Sequence, residues 1–417
     1  MQQRILTYLV GIAAALWMSC TGVFAQGFKD LPAYRCVKYE QNILQFPGER
    51  VRQDYFYSRL DSLLLFHTGE VNIWHVGGSH VQADIFSHKM RSNLTELQPD
   101  IVGNRGILFP YSIAHTNYSQ NYRTSYTGKW ITDKNTRKPH SYRMGLTGMA
   151  ASTQDSNARV TLRLNTNKQN TQWRFDQLHI MGYTDSTNCY PYTVWEEDTL
   201  RARYDSLNHY YSITLPTQVD SMTIQWNMPY NASFTLTGLI PQHSNNGISY
   251  YSSGVNGAAV PAWLRCEDLA KDLQYIRPDL AIFAIGINDA AVPYGSFNPE
   301  TFKANYRQLI EQVLHASPHC ALLFITNNDS YRYVSRRRMT ANTNGPLVQR
   351  AFYELAQEYG GCVWDLFSIM GGMGSVDNWE EEQLIHPDRL HFTHQGYELL
   401  GDLLFNALLT DYLTHSN

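Results

Sequence analysis

A chain of 417 residues, 43% hydrophobic and 17% charged, can bury a large core and exceeds one typical domain. Its formal net charge of −4, without a long Lys/Arg run, argues against a nucleic-acid partner. Five cysteines follow residue 25 (Cys36, Cys189, Cys266, Cys320 and Cys362), an odd number without CxxC spacing, so neither a zinc site nor a disulfide framework is implied.

The chain opens on a processing signal. Met1 to Arg4 carries positive charge, Ile5 to Phe24 is nearly continuous apolar sequence, and Val23-Phe24-Ala25 supplies small residues for cleavage. Residues 1–25 are therefore read as a signal peptide and the mature protein as periplasmic or secreted. Lipidation at Cys20 is the alternative, disfavoured by Trp17 where a smaller aliphatic residue is usual. No later stretch reaches the roughly 18 apolar residues of a membrane span.

Beyond the leader, two textures alternate. Helical patterns over Val51–Phe66 and Val81–Leu97 flank a short apolar run, Val71–Val76. After the β-rich middle of the chain come helical patterns over Trp263–Tyr275, Pro299–Ala316, Pro346–Tyr359 and His394–Tyr412. Among them lie the apolar runs Leu280–Ile285, Ala321–Ile325 and Cys362–Trp364, of the kind buried in parallel sheets. Strand and helix in alternation predict an α/β domain over 26–114 and 246–417, whose site lies beyond the strand C-termini. Between them, 115–245 alternates polar and apolar residues in segments such as Val160-Thr-Leu-Arg-Leu and Met222-Thr-Ile-Gln-Trp. That texture predicts an inserted antiparallel β-sandwich. Trp130, Tyr183, Tyr190, Tyr192 and Trp195, in loop-like settings, are its candidates for stacking on sugars, with ordinary sandwich core as the competing view.

Four segments carry candidate chemistry. In Ile73-Trp-His-Val-Gly-Gly-Ser-His-Val-Gln-Ala-Asp84 a buried strand passes through a Gly-Gly turn into a helix, which holds Ser79 at a tight turn where a nucleophile can be exposed. A helix capping box between Ser79 and Gln82 explains the same residues. Tyr251-Ser-Ser-Gly-Val-Asn-Gly-Ala258 is read as a loop in which Gly257 lets a backbone N–H approach a ligand. Ala284-Ile-Gly-Ile-Asn-Asp-Ala290 ends a strand at Gly286 and presents Asn288, whose amide suits an oxyanion; plain turn chemistry is the alternative. In His386-Pro-Asp-Arg-Leu-His-Phe-Thr-His394 the carboxylate of Asp388 can orient the imidazole of His391. A metal site built from His386, Asp388, His391 and His394 is the rival reading, without HExxH or comparable spacing to support it.

These four blocks, in this order, resemble the SGNH or GDSL-like hydrolases, with a Ser after the first strand, a Gly, an Asn in G-x-N-D and a C-terminal D-x-x-H. The resemblance implies a three-layer αβα, flavodoxin-like domain with a five-stranded parallel sheet. It implies Ser79 as nucleophile, His391 as base, Asp388 as its orienter, and Ser79, Gly257 and Asn288 as oxyanion donors, with no metal or organic cofactor. Gly77-Gly78-Ser79-His80, Gly254-Val-Asn-Gly-Ala258, Gly371-Gly-Met-Gly-Ser375 with Trp379, and Asp388-Arg-Leu-His-Phe-Thr look closest to peptidoglycan O-acetylesterases that carry an inserted β domain like a carbohydrate-binding module. Gly78 departs from the pattern, standing where the family usually has Asp. The activity implied is removal of O-acetyl groups from a polysaccharide, peptidoglycan foremost. The rivals are acetyl transfer through the same acyl-enzyme and carbohydrate binding by an inactive hydrolase fold, the latter suggested by Gly78 and the large insertion. A lipase is disfavoured because no apolar lid-like segment is found.

Overall fold

A computed structural model describes residues 27–415 apart from 99, 168–170, 245, 336 and 337. The expected leader and Cys20 lie outside the described residues. In chain order the first part holds β1 (Leu44–Gln45), α1 (Val51–Phe66), β2 (Glu70–Gly77), α2 (Ser79–Gln82) and α3 (Ile85–Thr95). A run of strands follows: β3 (Tyr122–Thr127), β4 (Ile131–Lys134), β5 (Met149–Thr153), β6 (Arg159–Leu164), β7 (Phe175–Thr184) and β8 (Tyr190–Trp195). It continues with β9 (Asp198–Arg201), β10 (Arg203–Asp205), β11 (Tyr210–Val219), β12 (Ser221–Asn227) and β13 (Phe234–Gln242). The chain then returns through β14 (Gly247–Gly254), α4 (Val260–Trp263), α5 (Leu269–Ile276), β15 (Leu280–Ala284), α6 (Ile287–Ala290), α7 (Pro299–Ala316) and β16 (Ala321–Ile325). Last come β17 (Tyr331–Ser335), β18 (Arg338–Ala341), α8 (Gly345–Tyr359), β19 (Cys362–Trp364), α9 (Leu366–Met370), α10 (Val376–Glu381) and α11 (His394–His415).

The apolar runs form one sheet in the order β1-β19-β16-β15-β2-β14, parallel throughout except for the short antiparallel edge strand β1. Successive side chains of a strand point to opposite faces, and here both faces are buried. Ile73, Leu280, Ile282 and Leu323 pack with α1, α3 and α11, whereas Trp74, Ala281, Phe283 and Phe324 pack with α5, α7 and α8. This is the three-layer architecture that the family resemblance implies.

Between β2 and β14 the chain forms two antiparallel sheets, ordered β10-β11-β7-β13-β5-β4 and β3-β6-β12-β8-β9. Val160, Leu162, Ile224 and Trp226 from one sheet meet Leu178, Ile180, Phe234 and Leu236 from the other, and all are buried. Their core runs without a break into the layer that contains Trp74 and Phe283.

Three elements differ from the sequence expectation. The helix read over Val81–Leu97 breaks at Asp84, which takes a left-handed φ of 53°. Its buried carboxylate accepts from Arg91 at 3.1 Å, Arg105 at 2.7 Å, Ser87 at 2.8 Å and Ser252 at 3.1 Å, and an ion with four partners outweighs one strained residue. The helix read over Trp263–Tyr275 divides into α4 and α5, with the N–H of Asp268 turned to Met144 O at 2.9 Å. Tyr251–Gly254, read as loop, is the end of β14 and pairs in parallel with Trp74–Gly77. Its small polar residues are satisfied inside the fold, Ser253 accepting from Trp74 Nε1 at 2.9 Å.

Candidate active site

Parallel-sheet topology decides which loops meet. Strand β2 lies between β14 and β15, so the turn after β2 is flanked by the loops after those two neighbours. These carry Ser79, Gly257 and Asn288 respectively. A β-carbon on Gly78 would stand 3.1 Å from Asn288 Nδ2 and 3.4 Å from Ala258 O, which shows how closely the three loops approach one another. Asn288 Nδ2 donates to Ala258 O at 2.9 Å, which fixes the amide and leaves its second hydrogen for a ligand. Gly257 is exposed at φ +80°, a conformation suited to glycine, and a β-carbon there would meet nothing within 4 Å.

The Asp388–His391 turn arrives from the far end of the sequence. Asp388 Oδ1 accepts the backbone N–H of Leu390 and of His391, each at 3.0 Å, while Oδ2 is 2.7 Å from His391 Nδ1. Partial burial pushes the Asp388 carboxyl up, but the His391 ring and these N–H groups outweigh it and bring it down to about 2. An ionised Asp388 keeps the proton on Nδ1, so Nε2 faces Ser79 with its lone pair. Ser79 Oγ lies 2.8 Å from that Nε2. All five residues singled out in the sequence are thus brought to the C-terminal edge of the sheet.

The capping-box explanation of Ser79 and Gln82 does not describe this turn: the Gly78 cap has no side-chain hydrogen bond, and Ser79 Oγ is directed to His391. Gln82 instead braces the site. Its Oε1 accepts the Asn256 N–H at 2.6 Å, and its Nε2 donates to Thr116 Oγ1 at 3.0 Å and Asn117 Oδ1 at 2.9 Å. Asp289 makes the corresponding tie on the other side, taking the Val260 N–H at 3.2 and 3.1 Å. Burial pushes its carboxyl up to about 7. Neither brace has a local sequence signal, since Gln82 and Asn256 are 174 positions apart. His80, next to Ser79, carries no motif signal of its own. Its Nδ1 is 2.7 Å from Tyr397 OH, its ring centroid is 5.4 Å from that of His391, and burial lowers it to about 3, so it stays neutral beside His391.

The rival metal reading would add His386 and His394 to the Asp388–His391 pair. His386 is exposed, and His394 faces Glu398 at 3.5 Å. Among the described residues no group of three or more His, Cys, Asp or Glu is placed to hold a metal ion. The five cysteines are buried and unbridged, and no helix among the described residues is long and apolar enough to cross a membrane.

The aromatic candidates of the β domain are engaged within it. Tyr183 lies on β7, and Tyr190, Tyr192 and Trp195 on β8, not on loops. The Arg201 guanidinium covers the Tyr190 ring at 3.6 Å, Arg143 covers Tyr183 at 4.5 Å, and Trp130 meets Trp226 edge-on at 5.1 Å. Tyr192 OH reaches Gln225 at 3.3 Å, and Trp195 packs against the sandwich core.

Residues 220–399 match the GDSL-like Lipase/Acylhydrolase family. The matched region begins within the β domain, just before β12, and does not include Ser79. The solved structure of a peptidoglycan O-acetylesterase superposes with a TM-score of 0.72 at 18% identity, over 89% of this chain and 99% of that one. An acetyl xylan esterase, AlAXEase, aligns over 38% of this chain and 81% of its own at 17% identity, with a TM-score of 0.31. A family two carbohydrate esterase from Cellvibrio japonicus aligns over 70% of this chain and 99% of its own at 12% identity, with a TM-score of 0.28. Among curated proteins none matches the chain.

Proposed function

We propose that this protein is an exported serine esterase that removes O-acetyl groups from a polysaccharide, peptidoglycan foremost, through a Ser79 acyl-enzyme. The observation that carries the reading is the continuous relay from Ser79 Oγ through His391 to Asp388, with contacts of 2.8 and 2.7 Å. His391 Nε2 takes the Ser79 proton as Oγ attacks the acetyl carbonyl, and Asp388 stabilises the imidazolium. Negative charge then develops on the carbonyl oxygen. Its donors are the Ser79 N–H at the first turn of α2, the Gly257 N–H and the second hydrogen of Asn288 Nδ2. His391 returns the proton to the leaving sugar hydroxyl, and water, activated by the same base, releases acetate. No metal or organic cofactor enters these steps.

The structural likeness to a peptidoglycan O-acetylesterase extends over the β domain as well as the α/β domain, which favours a polymeric glycan as substrate. Export rests on the leader read in residues 1–25. The test is acetate release from O-acetylated peptidoglycan and from a small acetyl ester. Ser79→Ala is expected to remain folded and to lose several orders of magnitude in kcat on both, as for a triad serine generally. Retention of more than roughly a tenth of wild-type kcat would remove Ser79 from the mechanism.

A further inference from the structure

Trp130, Tyr183, Tyr190, Tyr192 and Trp195 are already engaged, so rings are sought instead on the loops beside the site. Two exposed tyrosines lie in the segments that follow the C-terminal ends of β15 and β16. Tyr294 is 81% exposed in the segment that follows Asn288, and Tyr333 is 56% exposed on β17, in the hairpin that follows β16. Neither segment is a loose appendage. Asn344, just beyond the hairpin, donates from Nδ2 to Ala290 O at 2.9 Å and Val292 O at 3.0 Å, which ties the hairpin base to the Asn288 segment. The Tyr331 N–H donates to Arg389 O at 2.8 Å, and the Arg389 guanidinium lies 4.8 Å from the Tyr331 ring centroid. The hairpin is thereby anchored to the turn that holds Asp388 and His391.

Register places Tyr333 opposite Met339 and Tyr331 opposite Ala341, so one face of the hairpin is aromatic and apolar, while Arg332 opposite Thr340 belongs to the other face. A rigid ring with an open apolar face and a polar tip is suited to cover the C–H face of a sugar while leaving its hydroxyls wet. We infer that Tyr294 and Tyr333 form a sugar-binding rim, on the α/β domain itself, that holds the glycan strand whose acetyl group enters the Ser79 site. This rests on the reading of the substrate as a polysaccharide. It moves glycan recognition from the β-sandwich aromatics to the loops after β15 and β16, one of which also supplies Asn288.

Binding can be measured apart from turnover. Protein carrying Ser79→Ala would be titrated against insoluble O-acetylated peptidoglycan, with and without the pair Tyr294→Ala and Tyr333→Ala. The pair is expected to weaken the apparent Kd about tenfold, whereas Tyr294→Phe with Tyr333→Phe, which keeps the rings, should change it less than about twofold. Tyr230→Ala, which removes a 95% exposed tyrosine between β12 and β13, should have no effect. With an active Ser79, the alanine pair should lower kcat/KM on the polymer about tenfold and leave a small acetyl ester within about twofold. An unchanged Kd, absence of saturable binding, or equal losses on polymer and small ester would overturn the rim. Failure of the wild type to release acetate from the polymer would instead count against the esterase reading, with the binding titration still deciding the rim.

Discussion

The two halves of the proposed active site are held by opposite means. Asp388 and His391 are three residues apart, and the carboxylate closes its own turn by accepting from Leu390 and His391. The proposed oxyanion half is assembled from loops after β2, β14 and β15, held by Gln82 on Asn256, Asn288 on Ala258 and Asp289 on Val260. A locally closed turn keeps its geometry wherever the rest of the fold delivers it. A cross-braced half depends on ties that never touch substrate, so its energetic contribution is spread over more residues.

The largest effect should come from the self-contained half. Asp388→Asn retains an oxygen for the two backbone N–H groups but presents an amide to His391 Nδ1, which favours the wrong imidazole tautomer. A kcat loss of about 10³- to 10⁴-fold is expected with little change in melting temperature. A fall of less than about tenfold would show that the carboxylate serves only the turn. Asn288→Ala comes next, with a loss of about 10²- to 10³-fold in kcat and a small change in KM, since an oxyanion donor acts chiefly in the transition state. A pure KM effect would place Asn288 in ground-state binding instead.

Gln82→Ala tests the bracing itself. It removes the acceptor of the Asn256 N–H, so the Gly257 loop is less well fixed, and kcat should drop about tenfold while KM for a small ester is nearly constant. Equal activity would mean the loop is rigid without it and that the contrast between the halves is overstated.

The smallest effect is on stability. Burial raises the Asp289 carboxyl from 3.8 to about 7, so over that interval the native state binds a proton that the unfolded state has already released. Its contribution to stability is therefore present below about pH 4 and is lost as pH rises through 7. Asp272, raised to about 7 by burial, acts in the same direction. Asp388, brought down to about 2, acts only at the acidic extreme, where its contribution is lost as pH falls through that value. Asp289→Asn should flatten the decline in melting temperature between pH 5 and pH 8 relative to wild type. Identical slopes would show that Asp289 is ionised throughout that range.

What could be seen in the sequence followed the same division between local and distant. The D-x-x-H spacing is a property of one turn, and apolar runs such as Ala321–Ile325 are strands because both faces of the sheet are covered. The braces, by contrast, join residues with no common periodicity. Arg91 and Arg105 are fully buried against Asp84, an arrangement that helical patterning over Val81–Leu97 could not signal because the carboxylate's partners come from two elements. Strand β14 was hidden for a related reason. Gly247-Ile-Ser-Tyr-Tyr-Ser-Ser-Gly254 looks like turn sequence until Tyr250 OH is found 2.7 Å from His75 Nδ1, and Ser249 Oγ accepting from the Asn104 N–H at 3.1 Å. The aromatic residues of the β domain misled in the opposite sense, because sequence alone does not show that Arg201 or Arg143 already covers a ring.

The hydrophobic core that passes unbroken from the sandwich into one layer of the α/β domain makes the β domain a poor module. Apolar burial on one side is completed by side chains on the other, so each region is part of the other's solvent exclusion. Cutting the chain between the strand bearing Ser79 and β14 would open Trp74 and Val76 to water along with the sandwich interior, and Arg105 would lose Gln120 and Asn121 as partners. An insertion rooted in this way cannot be exchanged for another without rebuilding the layer that carries Trp74 and Phe283.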